Sequence, residues 1–221
     1  MLKLGVLASG RGSNFQSIID AKEEGRLDVS IEVLVVDNAS AFAVKRAEKH
    51  NIPHLYMNPK DFGSRDEFFA RIAEELTSRG VGLVVLAGFM RIVRKPLLEA
   101  FPMKVMNIHP AILPSFPGLH GQKQAVDYGV KISGCTVHFV DEGMDTGPVV
   151  IQAAVPVLPG DSEETLSARI LAFEHKIYPE AIRLFSEGRL EVDGMAVRIK
   201  ERPGGARHDP SAFLVSPPLG Y

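Results

Sequence analysis

Val81 to Ala87 is an unbroken apolar run, the mark of a strand buried on both faces of a sheet. Such a strand needs helices on each side, and the preceding chain supplies them in alternation. Lys3 to Ala8 is a short apolar run that ends in the glycine turn Ser9-Gly10-Arg11-Gly12-Ser13-Asn14. Phe15, Ile18 and Ile19 then take helical spacing through about Lys22. Ile31 to Val36 is a second strand, and Asp37-Asn38-Ala39-Ser40 breaks it with residues that cap a helix running to His50. Pro53 to Met57 is a short third strand. Phe68, Ile72 and Leu76 share one face of a helix over Ser64 to Arg79. This alternation predicts an α/β chain with a Rossmann-like, mostly parallel sheet and helices on both faces. Ligands bind such sheets outside the carboxyl ends of the strands, so the turns after strands are where chemistry is expected.

The second half reads differently. Lys104 to Ile108 is a short strand that leads into the proline-rich loop His109 to Gly121, and a helix follows over Gln122 to Tyr128. Ile132 to Val140 and Val149 to Val157 are joined by so short a glycine-led loop that an antiparallel pair is expected. Ser162 to Phe185 is a long helix with an apolar stripe of Leu166, Ile170, Phe173, Ile177 and Ile182, bent at Pro179. The expected organisation is one domain over 1–200, in two halves that divide at about residue 100. A loosely ordered tail over 201–221 is expected after it, with Phe213 and Leu214 as its docking candidates.

Composition narrows the function classes. The 221 residues carry 45% hydrophobic and 24% charged side chains, which excludes disordered and collagen-like chains. A net charge of -2 argues against nucleic acid as the main partner, although a few cations and backbone N–H groups suffice for one phosphate. Cys135 is the only cysteine, so no internal disulfide forms, and it reads as a small buried strand residue. No apolar stretch approaches the ~20 residues that span a bilayer, and the first apolar run is too short for a signal peptide. A cytoplasmic protein with no membrane partner is expected.

Three segments carry candidate chemistry. The glycine turn places backbone N–H groups at a helix start, where an anion is favoured and glycines allow close approach. The same residues also suit a plain strand-to-helix turn capped by Ser13 or Asn14. A dinucleotide fingerprint would need glycine where Phe15 stands, although Asp37 occupies the place of a ribose-binding acid. No Walker pattern follows, so a monophosphate ester fits better than a pyrophosphate. Asn107 and His109 lie two apart at the end of a strand and face the same way. An amide and an imidazolium aimed at one spot stabilise a carbonyl oxygen gaining charge, and the imidazolium also donates a proton. The loop Val140-Asp141-Glu142-Gly143-Met144-Asp145 offers carboxylates that orient His109 and favour its charged form, and spacing alone does not choose among Asp141, Glu142 and Asp145. The seven histidines are scattered without metal-ligand spacing, so no metal site is expected.

Together these segments resemble the phosphoribosylglycinamide formyltransferases, within the folate-dependent formyltransferases, from about residue 3 to residue 192. The resemblance rests on the glycine turn, on Leu86-Ala87-Gly88-Phe89-Met90-Arg91-Ile92 and on Asn107-Ile108-His109-Pro110. It also rests on Val137-His138-Phe139-Val140, Met144-Asp145-Thr146-Gly147-Pro148 and Glu174-His175-Lys176-Ile177-Tyr178-Pro179. It implies transfer of a formyl group from 10-formyltetrahydrofolate, as co-substrate, to the amine of glycinamide ribonucleotide, by a monomer or homodimer. Gly12, Ser13, Asn14 and Glu174 would bind the ribonucleotide. Arg65, Met90, Arg91, Ile92, Val93, Asn107 and residues Val140 to Met144 would meet folate. Asn107, His109 and Asp145 would be catalytic. A formyltetrahydrofolate hydrolase or a non-catalytic folate or nucleotide sensor are the alternatives.

Overall fold

The structure, a computed structural model, describes residues 1–200. The expected docking of Phe213 and Leu214 lies outside the described residues. Seven strands form one sheet: β1 (Leu2–Ala8), β2 (Val29–Val36), β3 (His54–Tyr56), β4 (Leu83–Leu86), β5 (Val105–His109), β6 (Ile132–Phe139) and β7 (Val149–Pro156). Their order is β3-β2-β1-β4-β5-β6-β7, parallel from β3 through β5 and antiparallel for β6 and β7. The helices are α1 (Ser13–Glu23), α2 (Ala43–Lys49), α3 (Arg65–Ser78), α4 (Lys95–Ala100), α5 (Gly121–Tyr128) and α6 (Glu163–Ser186). A small hairpin, β8 (Leu190–Asp193) and β9 (Ala196–Ile199), follows.

Both faces of β1, β2, β4 and β5 are largely buried, which explains their apolar runs, while β3 at the edge is mostly exposed. Val6, Ala8, Leu34, Val36, Val85 and Met106 belong to one core with Phe15, Ile18, Leu166 and Ile170. Their neighbours Leu7, Val33, Val35, Val84, Leu86 and Val105 belong to a second core with Phe68, Phe69, Ile72 and Leu97. Cys135 is fully buried, and burial pushes its thiol up to about 12, which leaves it protonated and inert.

Several boundaries differ from the sequence reading for local reasons. Asn38 accepts from the Ser40 N–H and closes a turn, so α2 starts later, behind Phe42, with no side-chain cap. The helix α4 was not anticipated, because its few residues are too short to show a period. The β8–β9 hairpin was also missed, although Asp193-Gly194 is a hairpin signal and Gly194 has φ 59°. On α6, Phe173 is 37% exposed, and the inward positions between Ile170 and Ile182 are taken by Glu174 and Tyr178. The Tyr178 hydroxyl lies 2.9 Å from the Leu86 carbonyl and 2.8 Å from that of Met106, tying α6 to β4 and β5. Among the described residues, no helix is long and apolar enough to cross a membrane.

Candidate active site

The strand order reverses between β1 and β4, and in such sheets the crevice outside that point is where ligands bind. The glycine turn follows β1 there. Gly12 takes φ 66° and ψ 33°, a left-handed conformation that favours glycine, at the N-cap of α1. A Cβ on Gly12 would lie 2.8 Å from that of Ala43, so the turn also needs glycine for packing. No side chain caps α1, and its first turn holds no acid, so its N-terminal N–H groups stay open to an anion. The backbone of the turn is fixed from α2, where the Ala43 N–H donates to the Gly10 carbonyl (3.1 Å) and Arg46 Nε to that of Arg11 (2.9 Å).

Asn14 behaves differently from its neighbours. Its side chain is turned inward, and Nδ2 donates to Glu174 Oε2 at 2.7 Å. Its Oδ1 is buried and unpartnered. Burial raises the pKa of Glu174, partly offset by the Asn14 bond. The Asn14 amide N–H is thus engaged by Glu174, the other side chain that the resemblance assigns to the ribonucleotide. What the pair offers a ligand is acceptors.

The second cluster forms where β5 meets β6. Asn107 and His109 share a face, and Asn107 pairs directly with His138 across the ladder. Asp145, with φ 56°, reaches in from the β6–β7 loop. Its Oδ2 lies 3.4 Å from His109 Nδ1 and accepts from the Gly118 N–H at 2.8 Å. His109 Nε2 lies 2.8 Å from the Phe116 carbonyl and serves as its donor. Both ring nitrogens of His109 therefore face oxygens, Nε2 at hydrogen-bond distance and Nδ1 beyond it. The other acids of the loop are elsewhere: Asp141 accepts from the Gly143 N–H and the Thr146 hydroxyl, and Glu142 is exposed.

His138 lies in the segment Val137-His138-Phe139-Val140, and the sequence by itself assigns it no role. Its Nδ1 donates to the Phe139 carbonyl at 2.8 Å, which leaves Nε2 to accept from Asn107 Nδ2 at 3.2 Å. Burial lowers its pKa, so the ring stays neutral and the lone pair at Nε2 persists. It thereby sets the orientation of the Asn107 amide. Thr136 and Gln152 were missed altogether. Thr136 Oγ1 accepts from the Leu113 N–H and donates to the Ala111 carbonyl, and Gln152 Nε2 donates to the Leu113 carbonyl. These bonds, added to the prolines, hold the loop after His109 in place. The signal for them was the strand opposite, where Thr136 pairs with His109.

Of the residues assigned to folate by resemblance, Arg65, Met90, Arg91 and Ile92 line one cavity of about 230 Å³ with Pro59, Phe68 and Phe69. The side chain of Val93 is instead buried in the core against α3 and α4. Residues 140–144 form the β6–β7 loop and do not line that cavity. The cavity draws on residues before 100, and the Asn14–Glu174 pair joins residue 14 to residue 174. A larger cleft of about 690 Å³ lies at the start of β1, against α1 and α6, away from the carboxyl ends of the strands. Among the described residues, no group of three or more His, Cys, Asp and Glu is gathered for a metal.

Comparison with known proteins places this arrangement. A glycinamide ribonucleotide transformylase from Symbiobacterium toebii superposes with a TM-score of 0.90 at 53% identity, covering 91% of this chain and 95% of that one. The phosphoribosylglycinamide formyltransferase of Bacillus subtilis is 44% identical over 83% of this chain and 94% of its own length. The trifunctional purine biosynthetic protein adenosine-3 of Drosophila pseudoobscura pseudoobscura is 47% identical over 85% of this chain, which spans only 14% of that longer protein. The family model described as formyl transferase matches residues 2–182, and the chain belongs to the formyl transferase family.

Proposed function

We propose that this chain transfers the formyl group of 10-formyltetrahydrofolate to the amine of glycinamide ribonucleotide, giving formylglycinamide ribonucleotide and tetrahydrofolate. The observation that carries the reading is the meeting of Asn107, His109 and Asp145 beside an uncapped glycine turn. A single-acceptor hydrolase has no use for the second feature. The ribonucleotide phosphate sits on the N–H groups of Gly12, Ser13 and the start of α1. The free Oδ1 of Asn14 and the carboxyl of Glu174 are acceptors suited to ribose hydroxyls. Arg65, Met90, Arg91 and Ile92 wall the folate pocket.

The amine nitrogen attacks the formyl carbon and forms a tetrahedral intermediate. Asn107 Nδ2, oriented by His138, and His109 Nδ1 donate to its oxygen. Because Nε2 is held by Phe116, Nδ1 is the working nitrogen of His109. Its 3.4 Å separation from Asp145 is longer than a good hydrogen bond and leaves the proton free to turn to substrate. The C–N bond to folate then breaks as a proton passes from the attacking nitrogen to the folate nitrogen, with His109 as carrier. The step draws on side chains alone and asks for no metal. We place it in the cytoplasm, on small-molecule substrates, with no role for nucleic acid or membrane. Tetrahydrofolate release is measured from 10-formyltetrahydrofolate with and without glycinamide ribonucleotide. Acceptor-dependent release is the expected result. Release without acceptor would make the chain a hydrolase, and ligand binding without release would make it a sensor.

A further inference from the structure

Asp37 ends β2 at the place where a dinucleotide-binding fold keeps its ribose acid, yet here it is turned to another task. Its side chain is only 5% exposed, and Oδ2 accepts from Nε of Arg91. Arg91 in turn lines the 230 Å³ cavity, and its guanidinium stands 6.0 Å from the centre of the Phe68 ring on the same wall. The neighbouring residues are tied down in parallel. Ser9 Oγ accepts from the Met90 N–H at 2.9 Å, and the Ser9 N–H donates to the Gly88 carbonyl at 3.0 Å. Asn38, next to Asp37, donates to the Ser9 carbonyl at 3.4 Å. Phe89 anchors the segment in the core against Phe69, but Met90 and Ile92 beyond it are 63% and 51% exposed. From Met90 on, the segment thus keeps its shape largely through polar bonds from the ends of β1 and β2.

We propose that Asp37 is a positioning residue for the folate pocket: its buried carboxylate holds Arg91, with Ser9 holding Met90, so that the wall 88–92 is set before the ligand arrives. This rests on the functional reading above and adds to it a residue that touches no substrate. Setting the wall in advance lowers the ordering cost of binding and so acts on affinity for the folate rather than on the chemical step. The pair is also lopsided. Arg91 is 42% exposed at its side chain, so losing Asp37 leaves a cation in contact with water, whereas losing Arg91 leaves a buried carboxylate without its partner. Asp37→Asn is therefore the variant that tests the role, because it keeps the side-chain shape and strands no buried charge.

The experiment compares the parent enzyme, Asp37→Asn and the pair Arg91→Lys and Asp37→Asn/Arg91→Lys. It reads kcat, KM for each substrate and the melting temperature. The expected result is a rise of about tenfold in KM for 10-formyltetrahydrofolate in Asp37→Asn, with kcat and ribonucleotide KM within about twofold. Melting should be unchanged, and the double variant should be no worse than the worse single one. An unchanged folate KM in Asp37→Asn overturns the positioning role. So does an equal rise in both KM values together with a fall in melting temperature, which marks a merely structural acid. A parent enzyme that transfers no formyl group overturns the functional reading and the inference with it.

Discussion

His109 and Asp145 show what single residues contribute. Phe116 fixes one nitrogen of the ring and Asp145 faces the other, the one that the proposed mechanism uses. Asp145→Asn is expected to lower kcat by roughly a hundredfold or more while KM values change little, since support of a proton-transferring group is typically worth 10²–10⁴. Steady-state kinetics with both substrates reads this directly, and near-normal kcat would remove Asp145 from the mechanism. Glu174 makes a prediction about stability. Burial raises its folded pKa above the ordinary 4.5, so between that value and the folded pKa the native state keeps a proton that the unfolded state has lost. Stability therefore falls as pH rises through this window. Glu174→Gln is expected to melt progressively higher than the parent as pH rises, with the advantage vanishing in acid below the unfolded pKa. That Asn107 and His109 share a face was legible from a spacing of two. The choice of Asp145 over Asp141 and Glu142 was not, because it depends on how the loop folds back over Gly118.

At the scale of elements, the junction between β7 and α6 is held by a short polar network. Ser162 and Thr165 form a reciprocal capping box, and Asp161 meets Arg169 through two bonds of 2.7 and 2.9 Å. The Arg169 guanidinium holds the Asp161 carboxyl well below the usual range. A lowered folded pKa stabilises the protein above the unfolded value and loses that effect as pH falls through it toward the folded one. Asp161→Asn should cost about 1–3 kcal/mol at neutral pH, and the difference from the parent should shrink in strong acid. Chemical denaturation at several pH values measures both. The helix α3 was legible because Phe68, Ile72 and Leu76 repeat one spacing, and β4 because the apolar run around it is unbroken, although the strand is Leu83–Leu86 and shorter than Val81 to Ala87. The stripe of α6 misled at Phe173, since apolar character alone does not say which neighbouring helix position turns inward, and a buried Glu174 breaks the pattern.

Across the whole molecule, α6 joins the sheet to the site. The Tyr178 hydroxyl bridges carbonyls of β4 and β5, and one turn earlier Glu174 meets Asn14 at the start of α1. Tyr178→Phe removes a buried hydroxyl from between two carbonyls and is expected to cost about 1–3 kcal/mol. It should appear as a lower melting temperature, and an unchanged one would mean that packing alone holds α6 in place.

What the chain encodes by itself is local and periodic: alternating buried strands and helices, a glycine turn that only certain backbones can take, and paired residues at a strand end. These follow from covalent geometry and burial, so short stretches suffice to read them. The tertiary structure decided which partners meet. His138 orients Asn107, Thr136 and Gln152 hold the loop after His109, Asn14 turns to Glu174, and Asp37 takes Arg91. Each of these pairs joins residues far apart in the chain, and hydrogen bonds and charges are chosen by distance in space, which no local pattern records.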